Sequence, residues 1–448
     1  MAIVKNKKIT LEDALVPVDK QPYQVPKNWC WTKLEFVASR FQYGYTEKAT
    51  FEKIGPHFIR ISDIGDGIIN DKDAPYCKIS DEAYPSYKIQ KNDIFIARMG
   101  SVGENGIALN DIDGVFASYL IRITPKTLPA FMINYLQTDL YWQQISVKSQ
   151  GTTRLNVNSN VLKSLLFPLP PFAEQQRIVE QIENLFAKLD EAKEKAQAVV
   201  DSFKARKAAI LHKAFEGALT SQWRKDNNVD MNTWKKMSLK ECGRWFGGGT
   251  PTTDVAAYWD NGNIPWITSK DMKGRIIDDS LMHITMSGVE NSSANYCEEP
   301  SVLFVMRSGI LRRVFPVCMT KRPFTINQDL KACVPSGINQ EYLYWFCTGY
   351  EKDIRDKCMK SGTTVESVEA KKLMNYEIFV ASEKEQIEIV KRIEFLLNKE
   401  ERAKEAAEAV IDQIETMKKA ILARAFRGEL GTNNPEEESS IEHLKELL

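Results

Sequence analysis

The sequence predicts an α+β protein in which two mixed α/β globular domains alternate with two long helices. Residues 174–219 and 385–430 align without gaps and are identical at 23 of 46 positions. The segment before each of them contains short apolar or aromatic runs broken by Gly, Pro, Asn and Asp, which is typical of strands and turns. A repeat at this spacing indicates a duplicated architecture.

The predicted boundaries follow from this alternation. A chain of 448 residues has room for two to four domains at roughly 100–200 residues each. We divide it into an N-terminal segment 1–21, a first globular domain 22–170, a central helix 171–222, a second globular domain 223–380, a C-terminal helix 381–430 and an acidic tail 431–448. The two globular domains are called head 1 and head 2.

Both repeated segments have the apolar spacing of a coiled coil, with steps of three and four residues. The predicted seam residues are Ile178, Ile182, Leu185, Leu189, Ala192, Ala196, Val199 and Phe203, and then Ile389, Ile393, Leu396, Ala403, Ala407, Val410, Ile414, Met417 and Ile421. Glu400 interrupts the second seam. Gly217 and Gly428 lie where each helix is expected to end. Because a lone helix would expose its seam, we expect the two copies to pack on each other, over roughly 70 Å.

The heads correspond more loosely than the helices. The alignment pairs Trp29 with Trp234, Leu34 with Leu239, Asp63 with Asp271, Arg98 with Arg307, and Gly151-Thr152-Thr153 with Gly362-Thr363-Thr364. A motif that both heads keep cannot distinguish their targets. The Gly-Thr-Thr motifs are therefore interpreted as shared framework, and the two aspartates as turn residues rather than catalytic acids.

The overall charge of the chain argues mildly against nucleic acid as a partner. The formal net charge is zero and the pI is about 6.9, whereas a DNA-binding domain is usually basic. Residues 301–375, however, contain twelve Lys and Arg against seven Asp and Glu. The acidic tail hides part of that surplus in the total.

Several classes of protein are not favoured. No apolar run of about 18 residues predicts a membrane span, and the N-terminal residues lack the apolar core of a signal peptide. The eight cysteines show no C-x-x-C spacing, so we expect no metal site and a reducing, cytoplasmic environment. No phosphate-binding loop, dinucleotide fingerprint or Asn/Asp-Pro-Pro-aromatic motif occurs, and no two of the four histidines have metal-ligand spacing. We therefore predict no catalytic residue and no cofactor.

Candidate DNA-binding residues are polar, basic or aromatic side chains in turn-rich stretches, where base and phosphate contacts favour them. They are Tyr43, Tyr45, Arg98, Ser101, Lys148, Thr152, Arg154 and Asn156 in head 1, and Thr250, Lys270, Arg307, Arg312, Arg313, Lys321, Arg322, Lys360 and Thr363 in head 2. The alternative for each position is a solvated loop or turn residue.

The arrangement resembles the specificity (S) subunit of type I restriction–modification systems, over nearly the whole chain. The resemblance is carried by "PLPPFAEQQRIVEQI" at 168–182, "KAAILHKAFEGAL" at 207–219 and "GGGTPTTDVAAYWDNGNIPWITSKDM" at 247–272. Head 1 departs from the last pattern, with Tyr43-Gly44 in place of the Gly-Gly-Thr-Pro run. The second copy also lacks the proline pair at the start of its helix.

The resemblance implies a non-catalytic subunit whose heads are target recognition domains, each reading one half of a bipartite double-stranded DNA target. It also implies that the helices pair as an antiparallel coiled coil with pseudo-two-fold symmetry, space the heads, and dock two methyltransferase subunits, which restriction subunits then join. The expected partner-binding residues are Glu174, Gln175, Arg177, Lys207, Phe215, Glu385, Gln386, Lys418 and Phe426. For Phe215 and Phe426, packing inside the helix pair is the alternative. A two-headed protein scaffold that never reads DNA is the alternative function, and a stand-alone enzyme would need a motif that we do not find.

Overall fold

The computed structural model describes residues 10–149, 156–360 and 365–448. The chain divides into two compact units: unit 1 comprises 1–196 and 409–448, and unit 2 comprises 197–408. Each unit therefore contains one head and a stretch of both long helices. The α+β class, with two mixed α/β heads and two long helices, is confirmed.

Head 1 consists of short strands and helices that lead into the first long helix. The strands are β1 (Cys30–Lys33), β2 (Ala38–Tyr43), β3 (His57–Ile59), β4 (Ile64–Gly65), β5 (Ile68–Ile69), β6 (Ile94–Ala97), β7 (Asn105–Ile107), β8 (Gly114–Phe116), β9 (Leu120–Pro125) and β10 (Leu166–Leu169). The helices are α1 (Leu11–Ala14), α2 (Leu34–Val37), α3 (Tyr84–Tyr87), α4 (Pro129–Leu136), α5 (Asp139–Ser149), α6 (Ser159–Lys163) and the long α7 (Phe172–Phe215).

Head 2 repeats this alternation. Its helices are α8 (Ser221–Asn227), α9 (Met286–Glu290), α10 (Gln340–Gly349), α11 (Glu351–Cys358) and α12 (Ala370–Met374). Its strands are β11 (Lys235–Ser238), β12 (Gly243–Gly247), β13 (Ile264–Ile267), β14 (His283–Ile284), β15 (Ser301–Val305), β16 (Val317–Thr320), β17 (Thr325–Ile326), β18 (Leu330–Pro335) and β19 (Glu377–Val380).

The two heads share one strand plan. In head 1 the main sheet has the order β2-β9-β6-β7-β5-β4, and in head 2 it has the order β12-β18-β15-β16. Each head adds a parallel pair, β3–β8 or β13–β17, and an antiparallel pair, β1–β10 or β11–β19. Because the pairing partners correspond, residues of the two heads can be matched from hydrogen-bond register rather than from sequence.

The register supports three of the four single-residue matches. Leu34 donates its N–H to the carbonyl of Leu165, and Leu239 donates to that of Tyr376, the equivalent position after the 211-residue offset. Asp63 accepts the N–H of Arg60 at 2.8 Å and Asp271 accepts that of Thr268 at 2.7 Å. Both carboxylates thus close the same turn, as predicted. Trp29 and Trp234 also match, through the contacts with Glu174 and Glu385 described below.

The fourth match is wrong by one residue. The last residue of β6, Ala97, lies opposite Leu120, and the last residue of β15, Val305, lies opposite Leu330. Arg98 is therefore equivalent to Met306, and Arg307 is equivalent to Met99. The sequence alignment missed this because both strands are followed by a basic residue within two positions.

The second long helix, α13, spans Glu383–Ala425, and a short helix, α14, spans Ser440–Leu447. Helices α7 and α13 are antiparallel in both units. In unit 1, Lys193 pairs with Glu415 at 2.6 Å and Lys418 pairs with Asp190 at 2.5 Å. In unit 2, Arg206 pairs with Glu400, and Lys404 lies 5.3 Å from the ring centroid of Phe203. Residue numbers therefore rise along one helix as they fall along the other.

The predicted seam is only partly buried. Its buried members are Ile178, Ile182, Ala196, Ile389, Ile393, Ala407 and Ile414. Ala192 and Ala403 are exposed, as are Val410 and Met417, which are 40% and 49% exposed. A heptad seam drifts by about 20° per seven residues around a straight α-helix, so it cannot stay against one partner over the full length.

The helix ends agree with the glycine prediction. Gly217 and Gly428 each adopt φ +75°, just beyond Phe215 and Ala425, and glycine is favoured in that left-handed conformation. The central helix thus ends before residue 222, and α8 is a separate helix.

The acidic tail is part of the core of unit 1 rather than a free extension. Leu444 of α14 is fully buried, and the N–H of Ser440 donates to the carbonyl of Asn28. Ala14, near the start of the chain, also lies in the core of unit 1. It is buried, and its carbonyl accepts a hydrogen bond from the Thr32 hydroxyl.

All eight cysteines are unpaired and buried. Burial raises the pKa of Cys30 and Cys77 to about 11, and that of Cys242 and Cys318 to about 12. In the described ranges no group of three or more His, Cys, Asp or Glu side chains is arranged to hold a metal ion. None of the helices in those ranges combines the length and the apolar character needed to cross a membrane.

Candidate nucleic-acid interface

Five side chains of head 1 form a basic and aromatic group, called the head 1 cluster. It consists of Phe41, Tyr43, Arg98, Ser159 and Lys163. The guanidinium of Arg98 lies 4.8 Å from the ring centroid of Tyr43, and Nζ of Lys163 lies 5.5 Å from that of Phe41. Two cations against aromatic faces are a common feature of nucleic-acid-binding surfaces.

Local folding brings these residues together. Phe41 and Tyr43 are on β2, Arg98 follows β6, and Ser159 and Lys163 are at the two ends of α6. The N–H of Ser159 donates to the Tyr43 hydroxyl oxygen at 3.0 Å. The cluster therefore joins the main sheet to the segment that follows residues 150–155.

Gly44 makes the position of Tyr43 possible. A Cβ atom at residue 44 would lie 2.1 Å from the carbonyl oxygen of Ala117, so no other residue fits without a backbone shift. Gly248 has the same role in head 2, where a Cβ would lie 1.8 Å from the carbonyl oxygen of Ile326. Tyr43 is consequently equivalent to Gly247. Where head 2 has the Gly-rich run, head 1 follows the same backbone conformation but has an aromatic side chain at this position.

The cluster has an electropositive character. Burial acts to raise the pKa of the Tyr43 hydroxyl, but the hydrogen bonds from Ser159 and the charges of Arg98 and Lys163 outweigh it, and the net pKa is lowered. Both charged groups that act on this hydroxyl are cations. Among the described residues Arg98 makes no ion pair, and its buried Nε has no hydrogen-bond partner.

The other predicted DNA-binding residues of head 1 lie outside the head 1 cluster. Tyr45 packs against Tyr87, with 5.2 Å between ring centroids, beside a small core cluster. Ser101 is exposed. Nζ of Lys148 donates to the carbonyl and hydroxyl oxygens of Ser164, at 2.9 and 2.7 Å. Asn156 has a buried amide oxygen without a partner. Thr152 and Arg154 lie outside the described residues.

Head 2 neutralises most of its predicted cations. Arg307 pairs with Asp329 at 2.7 Å and Arg312 with Glu366 at 2.6 Å. Lys321 is 3.0 Å from Glu341, and Arg322 is 3.9 Å from Asp278. Four of the seven candidate cations of head 2 are therefore paired with carboxylates.

Four further residues of head 2 were predicted to bind DNA. The Thr250 hydroxyl donates to the amide oxygen of Gln328. Lys270, Arg313 and Lys360 make no ion pair with any part of the chain that the structure describes. Thr363 lies outside the described residues. The structure does not gather these side chains into a counterpart of the head 1 cluster.

Six of the nine expected partner-binding residues are buried and offer little surface to a partner. They are Glu174, Gln175, Phe215, Glu385, Gln386 and Phe426. Of the other three, the Arg177 side chain is 37% exposed and the Lys418 side chain is 22% exposed, and Lys207 is partly exposed.

The two buried glutamates hold each head on its helix. Glu174 accepts the indole N–H of Trp29 at 2.6 Å and the amide of Asn433 at 2.8 Å. Glu385 accepts the indole N–H of Trp234 at 2.9 Å. The glutamate and the tryptophan are conserved between the two units because they form the same buried joint in each.

The two glutamines stabilise the start of each long helix. Gln175 donates to the carbonyl of Pro170 at 3.1 Å and accepts the N–H of Leu128 at 3.2 Å. Gln386 donates to the carbonyl of Ala381 at 2.8 Å, and its amide oxygen accepts the N–H of Asn339 at 2.7 Å. The Glu-Gln repeat is thus a packing signature.

The phenylalanines enter the cores of the heads, which neither sequence interpretation predicts. In unit 1, the ring centroid of Phe426 is 4.7 Å from that of Phe131. In unit 2, Phe215 lies 5.1 Å from Phe346 and 5.2 Å from Tyr342. The C-terminal end of each long helix therefore contributes to a head core rather than to a helix–helix seam.

Sequence reasoning missed Phe41, Ser159 and Lys163 of the head 1 cluster. Lys163 stands in "NVLKSLLF", which reads as an ordinary helix end, and Phe41 reads as an apolar strand residue. Their proximity depends on the pairing of β2 with β9 and on the position of α6, so only the fold reveals it.

The comparisons with known proteins agree with this duplicated plan. The family model described as "Type I restriction modification DNA specificity domain" matches residues 45–200 and 231–410, one stretch for each head and helix. The chain belongs to this family. The two matched stretches coincide with the repeat that the sequence shows.

Individual relatives cover parts of the chain. The EcoR124I/EcoR124II specificity subunit of Escherichia coli is 38% identical over 169 residues, which are 37% of this chain and 41% of the relative. The EcoBI specificity subunit of Escherichia coli is 30% identical over 219 residues, 47% of this chain and 46% of the relative. The alignments thus span less than half the length of these two relatives.

Solved structures support the fold. The HsdS subunit from Thermoanaerobacter tengcongensis has a TM-score of 0.63 at 20% identity, over 92% of this chain and 100% of that chain. A chain from a study of complex assembly and conformational transition of the type I restriction–modification system has a TM-score of 0.65 at 21% identity, over 91% and 100%.

Proposed function

We propose that the chain is the non-catalytic DNA sequence-specificity subunit of a type I restriction–modification complex and acts in the cytoplasm. Each head reads one half of a bipartite, asymmetric double-stranded DNA target. Two methyltransferase subunits dock on the chain, and restriction subunits join that core. The relatives named specificity subunits and the family of DNA specificity domains support this proposal.

One contrast carries the proposal. The frame is repeated almost unchanged, since the Trp29–Glu174 joint recurs as Trp234–Glu385. The surfaces on that frame differ, because Gly247 and Met306 of head 2 stand at the positions of Tyr43 and Arg98. A repeated frame with unlike surfaces suits a protein that recognises two unlike half-sites.

The paired helices remain the proposed docking region for the methyltransferases, with a smaller residue set. Arg177, Lys207 and Lys418 keep accessible side chains. Lys207 lines a groove of about 240 Å³ with Arg275 and Trp345 in unit 2. Charge reversal there, as in Lys207→Glu, should weaken assembly with the methyltransferase, whereas Lys204→Glu on an exposed position of the same helix is the control.

A head exchange tests the proposed function. Residues 26–167 would be replaced by the first head of another family member, and the methylated sequences of a host expressing the complex would be mapped. We expect one half-site to change and the other to stay. A continuous target, or a change in both halves, contradicts the proposal. DNA affinity of the assembled complex should also fall steeply with salt, because phosphate contacts release counterions; a flat salt dependence would favour the protein scaffold instead.

The lack of catalysis has its own test. The purified chain, without partners, should transfer no methyl group from S-adenosylmethionine to DNA and should not cleave it. The assembled core should have the mass of two methyltransferase subunits and one chain. Transfer by the chain alone, or a one-to-one complex at saturation, would refute the corresponding part of the proposal.

A further inference from the structure

We propose that Arg98 reads a guanine in the major groove of the half-site that head 1 binds, with Tyr43 holding the guanidinium in place. The inference rests on the proposed function, and it names one specificity-determining residue and the base that it recognises. It predicts an obligatory G·C pair in the half-site of head 1.

The first support is the preorganised position of Arg98. Its guanidinium lies 4.8 Å from the ring centroid of Tyr43, and the hydroxyl of that ring is held at 3.0 Å by the N–H of Ser159. The carbonyl of Arg98 accepts the N–H of Val157. Both the backbone and the side-chain plane are thus fixed before any ligand binds, which reduces the entropy lost on binding.

The second support is that Arg98 has no carboxylate partner, whereas Arg60 and Arg122 of the same head each have one. In head 1, Arg60 is paired with Asp63 at 2.8 Å and Arg122 with Asp93 at 3.1 Å. Within the described part of the chain Arg98 has no carboxylate partner, and its Nε is buried without a hydrogen bond. A guanidinium that no carboxylate neutralises is a candidate for contact with an acceptor on a ligand.

The chemistry favours a guanine over a phosphate. The parallel N–H groups of a guanidinium match the O6 and N7 acceptors of guanine in the major groove. Such bidentate contact needs a fixed plane, which the stack on Tyr43 supplies. A phosphate can be bound by a point charge as well as by a guanidinium fork, and Lys163 of the same cluster offers such a charge on a flexible side chain.

The third support is that the pair exists in one head only. Strand register places Met306 at the position of Arg98 and Gly247 at the position of Tyr43. The adjacent Arg307 of head 2 is neutralised by Asp329. Because the frame is common to both heads, residues that differ at equivalent surface positions are where different half-sites can be encoded.

Methylation mapping tests the inference in the complete complex. In a host expressing the assembled system, Arg98→Ala should remove the requirement for one G·C pair in the half-site of head 1 and leave the other half-site unchanged. Arg98→Lys should behave in the same way, because it keeps the charge but loses the bidentate fork. Lys91→Ala removes an exposed cation of head 1 outside the cluster and should leave the target unchanged.

A second measurement uses the unaltered protein, so it does not depend on the folding of a variant. Binding of the wild-type complex to DNA duplexes would be measured with each guanine of the half-site replaced in turn by 7-deazaguanine, which lacks the N7 acceptor. We expect one position to lose about 5- to 150-fold in affinity. The same substitution should have no further effect on an Arg98→Lys complex.

The outcomes are distinct. If wild-type methylation shows no bipartite target, the proposed function fails. If the target is bipartite but Arg98→Lys lowers methylation equally at all sites with the sequence unchanged, Arg98 contacts a phosphate and this inference fails alone. Uniform tolerance of 7-deazaguanine in the half-site of head 1 would also overturn it.

Discussion

Arg122 and Asp93 form an ion pair in the core of head 1, with 3.1 Å between Nη1 and Oδ2 and with side chains that are 0% and 1% exposed. Head 2 has no such pair, because strand register places Ala332 and Ser301 at these positions. The Arg122 guanidinium also donates to the carbonyls of Lys88 and Ser86, so its donors are largely satisfied.

Breaking this pair should destabilise head 1 strongly. Asp93→Ala leaves the Arg122 cation buried without its counter-charge, which costs about 3–5 kcal/mol of unfolding free energy. The double variant Asp93→Ser with Arg122→Ala copies head 2. It should lose less unfolding free energy than Asp93→Ser and Arg122→Ala lose in total when each is made alone. Urea unfolding followed by hydrogen exchange in head 1 measures this; strictly additive losses would contradict it.

The two buried glutamates should differ in their contributions to stability. Glu385 accepts hydrogen bonds from Arg224 at 2.6 Å and Thr220 at 2.7 Å, so Glu385→Gln leaves a buried cation unpaired. Glu174 accepts from the neutral groups of Trp29 and Asn433, and Glu174→Gln should cost only about 1–3 kcal/mol. Hydrogen exchange in each unit during urea unfolding would separate the two effects. Equal losses in the two units would show that Arg224 is satisfied by other groups.

Phe215 and Phe426 should behave as core residues. Truncation to Ala should cost about 3–5 kcal/mol for each, because a large buried ring is removed and a cavity remains. Phe395, which is 66% exposed on α13, is the matched control and should change stability by less than about 0.5 kcal/mol on truncation. The assay is thermal unfolding of the purified chain. A Phe215→Ala chain that unfolds at the wild-type temperature but does not assemble with the methyltransferase would instead support a role of Phe215 in binding that partner.

The attachment of the C-terminal tail should weaken in acid. Arg177 binds Glu437 through two hydrogen bonds of 2.8 Å, and these, against the opposing effect of burial, hold the pKa of Glu437 below its ordinary value. A carboxyl whose pKa is lowered on folding stabilises the folded state above its unfolded pKa, roughly 4.3, and the stabilisation is lost as the pH falls through the lowered value.

The corresponding variant is Glu437→Gln. At pH 7 it should raise hydrogen exchange in 440–447 by a few-fold, since a partly exposed pair is worth less than about 1 kcal/mol. Wild type and variant should converge as the pH falls below about 4. Glu438→Gln, at an exposed neighbouring position, is the control. A difference that persists undiminished at pH 3 would show that the effect does not come from the charge of Glu437.

The sequence predicts the two long helices and their junctions with the heads well, because both copies of the repeat show the same pattern. Long helices, their terminal glycines and the turn aspartates all follow from local pattern, which is the same in both copies. The burial of Glu174 and Gln175 does not follow, because a carboxylate and an amide side chain at a helix start are normally solvated. Their identity in both copies, together with a tryptophan near the start of each head, is the signal that was available.

The candidate interface is less predictable. Tyr43 and Arg98 are separated by more than fifty residues, and their stacking depends on the order of β2, β9 and β6 in one sheet. The one-residue error at Arg307 arises for the same reason, since strand register and not local sequence decides which residue follows the strand. The number of unpaired cations was also overestimated, because ion pairs such as Arg312–Glu366 join residues far apart in the chain.

The buried cysteines make this protein convenient for optical work. Maleimides react rapidly only with accessible thiolates, whereas all eight thiols are buried and burial raises the pKa of Cys242 and Cys318 to about 12. A cysteine introduced at an exposed site such as Lys91 or Lys273 would therefore be the dominant point of labelling. A pair of dyes, one on each head, would report the separation of the heads in single molecules and its change as DNA binds, without prior removal of any native thiol.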